Sequence, residues 1–202
     1  MSEDESKATR SVRLAMKMIG THIIKTAETV QDAKVDEMID QILHAKKIFV
    51  MGAGRSGLVG RAFAMRLMHL DLPVFVVGET VTPAIEDGDV LITISGSGET
   101  KSVVELAMVG KQCGAKLISI VSNPSSSLAK VSDIVVEVKG RSKAEKIDYL
   151  ERQVRGEHYT LAPLGTLFET TSLVFLDGVI SELMKVTKRD ETYLRLRHTS
   201  LE

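Results

Sequence analysis

Short apolar runs alternate with amphipathic stretches through the middle of this chain, and that alternation constrains the fold more than any other feature. KIFVM (47–51), PVFVV (73–77), VLITI (90–94), KLISIV (116–121) and DIVVEV (133–138) all have strand length and are rich in β-branched residues. Helical periodicity runs from the turn after residue 51 to about His69, and again near 100–112 and 125–131. Strands apolar along their whole length are buried on both faces, and intervening helices imply parallel pairing with right-handed crossovers. The expectation is an α/β fold around a five-stranded parallel sheet. The connection 78–89, with Gly78, Pro83 and Gly88, reads as a loop.

Two further helices precede the first strand. Val12, Met16, Ile19, Ile23, Ala27 and Val30 recur at steps of 4, 3, 4, 4 and 3, which is one face of a helix. Val35, Met38, Ile42 and Ala45 mark a second, with Asp36 and Glu37 suiting its positive end. Neither helix is needed to complete a doubly wound sheet, so both are expected to cover a face or meet another subunit. Residues 1–10 read as a disordered lead-in. Residues 139–162 read as a charged loop with a helical piece near 143–154. Residues 164–185 read as an apolar helix, and 186–202 as a polar tail. At roughly 100–200 residues per domain, 202 residues make one domain.

Composition narrows the function classes. The chain is 44% hydrophobic, enough for a core, and balances 26 Lys and Arg against 27 Asp and Glu. A formal charge of −1 gives no basic nucleic-acid footprint over the whole chain. No apolar run approaches 18 residues, so no membrane span is expected. The start MSEDESKATR is acidic, unlike a secretory signal. Cys113 is the only cysteine, and no Cys/His cluster has zinc spacing, so no metal is expected. A soluble cytoplasmic protein is the expectation, and any anion site must be local.

Two Gly-rich turns meet that requirement. Gly52-Ala53-Gly54-Arg55-Ser56-Gly57 follows a strand and opens a helix, where free N–H groups and bare glycine backbone suit an anion. It is also a G-x-G-x-x-G, with Glu79 lying 22 residues after Gly57, where a dinucleotide fold keeps its ribose-binding acid. This turn alone serves a nicotinamide cofactor or a sugar phosphate equally well. The second turn, Ser95-Gly96-Ser97-Gly98-Glu99-Thr100, combines three hydroxyls with two glycines. Hydroxyls and bared N–H groups make a compact phosphate cradle. With strand order 2-1-3-4-5 the two turns flank one crevice at the topological switch point. A dinucleotide fold has no need of the second turn. The competing structural role for Ser97 or Thr100 is to cap the next helix.

These residues carry a resemblance. SGSGET resembles the signature of the sugar isomerase (SIS) domain, and GAGRSG resembles that family's first ligand loop. RAFAMRLMHLDLPVFVVGETVTPAI (61–85), SNPSSSLAKVSD (122–133), APLGTLFE (162–169) and RHTSLE (197–202) resemble the 6-phospho-3-hexuloisomerase family within it. The resemblance runs from about residue 11 to the C-terminus. It implies a flavodoxin-like α/β/α sandwich, a homotetramer and no cofactor. It implies interconversion of D-arabino-hex-3-ulose 6-phosphate and D-fructose 6-phosphate in the ribulose monophosphate pathway. By the family's pattern Ser95, Gly96, Ser97, Gly98, Glu99 and Thr100 hold the phosphate, and Arg55 and Ser56 contact substrate. Glu169 falls where the family places its proton-transferring carboxylate, and His69 is the second proton-handling candidate.

Each of these assignments has a plainer competitor. Thr166-Leu167-Phe168-Glu169 fits a T-x-x-E capping box. His69 ends a predicted helix, where a histidine is often structural. Arg55 has a lesser reading as a solvated turn residue, Glu79 reads equally as a loop acid, and His158 and His198 read first as solvated side chains. Competing functions are arabinose 5-phosphate or sedoheptulose 7-phosphate isomerisation, a non-catalytic phosphosugar sensor, and a nicotinamide oxidoreductase. A sensor of this kind usually carries a helix-turn-helix, for which the first 46 residues are too short. An oxidoreductase would leave SGSGET without a role.

Overall fold

A computed structural model describes residues 3–140, 162 and 165–197, with residues 3–10 as backbone only. The elements run α1 (Glu3–Ala27), α2 (Asp32–His44), β1 (Ile48–Gly52), α3 (Arg55–His69), β2 (Val74–Val76) and β3 (Val90–Ile94). They continue as α4 (Lys101–Gln112), β4 (Lys116–Val121), α5 (Ser127–Val131), β5 (Ile134–Glu137), α6 (Thr166–Thr187) and α7 (Glu191–Leu196). The helical piece expected near 143–154 lies outside the described residues, as do His158 and His198.

All five strands pair in parallel, in the order β2-β1-β3-β4-β5. This is the doubly wound arrangement, with its switch point between β1 and β3. Each face carries its own core. Ile48, Val50, Ile92, Ile94, Ile118 and Ile120 pack with α2, α3 and α6 on one side. Phe49, Met51, Leu91, Leu117 and Val121 pack with α4 and α5 on the other. Successive residues of a strand point to opposite faces, so two covered faces require the uninterrupted apolar runs seen in the sequence.

Two stretches differ from expectation. Helix α1 continues back to Glu3, through residues read as a lead-in. Its acidic start suits the positive end of a helix. The C-terminal stretch contains α7, capped by Asp190, whose carboxylate accepts from the Tyr193 N–H at 2.9 Å. Its amphipathic period is only six residues long, and the docking contact comes from far away in sequence. The Tyr193 hydroxyl donates to Asp71 at 3.3 Å, and Arg197 both pairs with Asp71 and stacks 3.8 Å over the Tyr193 ring. Asp71 follows α3 in the left-handed region, φ 57°. Aspartate is one of the few non-glycine residues that tolerates this region.

Candidate active site

Glycine geometry builds the first loop. Gly54 precedes α3 at φ 56°, ψ −131°, a conformation open essentially to glycine. A Cβ on Gly52 would lie 2.8 Å from the Ser56 carbonyl carbon, and one on Gly57 would lie 2.7 Å from the Gly52 oxygen. Strand end and helix start are thus pressed together, which brings Arg55 and Ser56 to the first turn of α3 at the carboxyl edge of the sheet.

The second loop leaves β3 beside it, because Gly52 of β1 pairs with Ile94 of β3. Ser95 is buried, and its N–H donates to the Ile120 carbonyl at 3.0 Å. Gly98, at φ 63°, lies so close to Ser126 that a Cβ would meet its hydroxyl at 2.0 Å. Thr100 stands at the N-cap of α4 without a side-chain bond, and Ser97 accepts from the Glu99 N–H at 3.2 Å. The capping role considered for these hydroxyls is therefore not the one they play at α4. The N–H groups of Thr100, Lys101 and Ser102 donate to no backbone carbonyl among the described residues. This is the donor set an anion meets at a helix start. Glu99 has a different role from its neighbours. Its carboxylate accepts from the Ser127 N–H at 2.9 Å and the Ser127 hydroxyl at 2.7 Å, which caps α5. A carboxylate repels phosphate, so structure-building suits it better than holding the ligand.

The carboxylate of Glu169 reaches the first loop. It sits in the first turns of α6 with its side chain 14% exposed, and the Arg55 Nε–H donates to it. The capping box does not form. Gly165, at φ 85°, is the N-cap, Thr166 is already helical, and there is no side-chain cap bond. Gly165 instead makes room: a Cβ there would stand 2.9 Å from Glu169 Oε1. Arg55 and Glu169, 114 residues apart, are thus brought together at the switch-point edge.

His69 is not brought to this place. It is buried at the far end of α3, about 21 Å from Arg55 at 1.5 Å rise per residue. There it lines a cavity of about 520 Å³ with Arg66, Asp177, Ser181, Glu191 and Arg195. Glu79, the acid that kept the dinucleotide reading open, pairs with Arg61 on α3. Gly165 and Phe168, which the structure places against Glu169 and Gly96, were not singled out from the sequence. Both stood inside APLGTLFE, but the apolar period of α6 absorbed Phe168 as core. Among the described residues, no group of three or more His, Cys, Asp or Glu is placed to hold a metal ion.

A family model described as the SIS domain matches residues 41–148. The chain belongs to the SIS-domain family. Within that family it is 38% identical to a Bacillus subtilis protein named 3-hexulose-6-phosphate isomerase, across 88% of this chain and 91% of the relative. It is 43% identical to a protein of the same name from Methanocaldococcus jannaschii, across 83% and 84%. Among solved structures, a Methanococcus jannaschii protein for which that same function was inferred matches with TM-score 0.76 at 39% identity. That match covers 93% of this chain and 98% of the other. An Escherichia coli protein, solved in complex with a phosphosugar, matches with TM-score 0.73 at 25% identity, covering 98% and 100%.

Proposed function

We propose that this protein is a sugar-phosphate isomerase that interconverts D-arabino-hex-3-ulose 6-phosphate and D-fructose 6-phosphate. The observation that carries the proposal is the shielded Glu169 carboxylate, held by Arg55 at a crevice between two Gly-rich helix starts. The names borne by relatives 38–43% identical support the same substrate pair over the other readings.

The chemistry needs no redox step. Glu169 takes the proton from C2 of the hex-3-ulose, giving an enediolate with its charge on O3, and the O2 hydroxyl proton passes to O3. Glu169 returns a proton to C3 while the carbonyl forms at C2. One carboxylate serves both steps when it lies beside both carbons. The two helix starts, with Ser95, Ser97 and Thr100, hold the phosphate. Arg55 donates through Nε to Glu169, and its terminal amino groups have no partner among the described residues. They suit the oxyanion that develops on O2 and O3.

His69 handles protons in this reading only if it serves the crevice of a neighbouring subunit, since α3 carries it to the opposite edge. A homotetramer in the cytoplasm completes the proposal; apolar residues left exposed on α1 and α3, including Met16, Leu58 and Met68, support self-association.

Incubation with fructose 6-phosphate in D₂O, followed by NMR, tests the reaction. Deuterium at C2 of the hexulose or C3 of fructose is expected. Exchange with arabinose 5-phosphate or sedoheptulose 7-phosphate but not with fructose 6-phosphate overturns the substrate assignment. Glu169→Gln is expected to fold and to lose nearly all exchange, and near-normal exchange would remove Glu169 as the base.

A further inference from the structure

Phe168 precedes the proposed base and joins it to the second loop. Its ring lies against Gly96, so that a Cβ on Gly96 would stand 2.9 Å from one ring carbon and 3.1 Å from the next. Its own Cβ is pressed against Gly140, just beyond β5, where an added Cβ would meet it at 2.6 Å. Phe168 is 4% exposed. Gly96 is held from the other side as well, since its carbonyl accepts from the Ser122 N–H at 3.0 Å. Phe168 is therefore packed between two backbone segments, with its ring on Gly96 and its Cβ on Gly140.

Glu169, the next residue, faces the other loop through Arg55. Two consecutive residues of α6 thus touch both ligand loops, one through a ring and one through a carboxylate. Helix α6 is a rigid element, so the thickness of the ring against Gly96 fixes how far the carboxylate stands from the phosphate cradle. An isomerisation through an enediol needs the base within hydrogen-bond reach of carbons several bonds from the phosphate. A fixed distance between cradle and base is what such a substrate demands.

We propose that Phe168 is a positioning residue, a spacer between Gly96 and α6 that sets the reach from the phosphate cradle to Glu169. This rests on the reading of Glu169 as the base. The space at position 96 offers a direct test. Gly96 does not occupy the left-handed region, and the three atoms nearest an added methyl all belong to the Phe168 ring. Gly96→Ala moves the spacer outward, and Phe168→Leu thins it.

The measurements are kcat and KM with fructose 6-phosphate for the wild type, Gly96→Ala, Phe168→Leu and the double variant, with thermal midpoints for each. Each single change is expected to lower kcat by about tenfold to hundredfold, the scale of a small misplacement of a catalytic group. For Phe168→Leu, which leaves the cradle residues in place, KM should move by less than about threefold. The double variant should recover kcat above both singles, because the methyl fills space the smaller side chain vacates. A wild-type kcat for Phe168→Leu, or losses in the double variant that multiply, overturns the proposal. So does a loss confined to KM in Phe168→Leu. A merely structural role would lower the thermal midpoint without the reciprocal recovery. An active Glu169→Gln would overturn the base assignment itself. An inactive Glu169→Gln with multiplying losses overturns only the spacer.

Discussion

At the scale of the residue, the site depends on glycines chosen for what they leave out. Gly165 combines φ 85° with direct proximity to the Glu169 carboxylate. Gly165→Ala is expected to cost about 1–2 kcal/mol through the left-handed backbone, and to lower turnover further by pushing the carboxylate off Arg55. Thermal denaturation reads the first effect, and kcat of the folded fraction reads the second. Glu99 gives the opposite expectation. Removing its cap on Ser127 by Glu99→Ala should cost about 0.5–2 kcal/mol and leave KM for the sugar phosphate nearly unchanged. A large rise in KM would restore Glu99 to the binding site. Both residues sit in segments that stood out in the sequence. What sequence could not supply was the partner: Thr166-x-x-Glu169 has the spacing of a capping box, and only the approach of Arg55 from residues far earlier shows that the carboxylate is used elsewhere.

At the scale of the element, strands and helices were legible because burial on both faces writes itself as continuous apolar runs. VLITI became β3 with the same limits, and KLISIV became β4. Helix α7 was not legible, because its position is set by Asp71 rather than by its own period. The hydrogen bond and charge of Arg197 hold the Asp71 carboxyl below its ordinary value of 3.8. At Asp133, burial pushes the carboxyl up, but the Leu117 N–H and the Lys111 ammonium together bring it below that value. A carboxylate whose folded pKa is depressed stabilises the fold above its unfolded pKa, and loses that contribution as pH falls through the folded one. Protection of the α7 amides against hydrogen exchange should therefore persist from neutral pH down to the ordinary carboxylate range. It should fall only in stronger acid. Asp71→Asn should show the weakened protection already at pH 7, and unchanged protection would mean that the clasp does not hold α7.

At the scale of the whole molecule, the N-terminal stripe is only partly used within one chain. Ile19 and Ile23 are half-buried, whereas Val12 and Met16 remain 60% and 67% exposed. Under the proposed assembly this face is covered by another subunit, and sedimentation at micromolar concentration should show an assembly larger than a monomer. If the assembly brings His69 to a neighbour's crevice, two inactive variants should complement each other. Mixed and reassembled His69→Asn and Glu169→Gln subunits should regain activity that neither has alone. Mixtures that stay inactive would leave His69 as a structural residue.

Helix α3 runs from Arg55 at one edge of the sheet to His69 at the other, and this has a consequence for how the chain can change over time. A single inserted residue inside α3 would turn everything beyond it by about 100° and advance it by about 1.5 Å. Arg55 would keep its place while His69, Asp71 and the docking of α7 were lost together. The 78–89 connection, where Val81 is 85% exposed, carries no such phase relation. Length variation among relatives should therefore gather in that connection and be missing from α3.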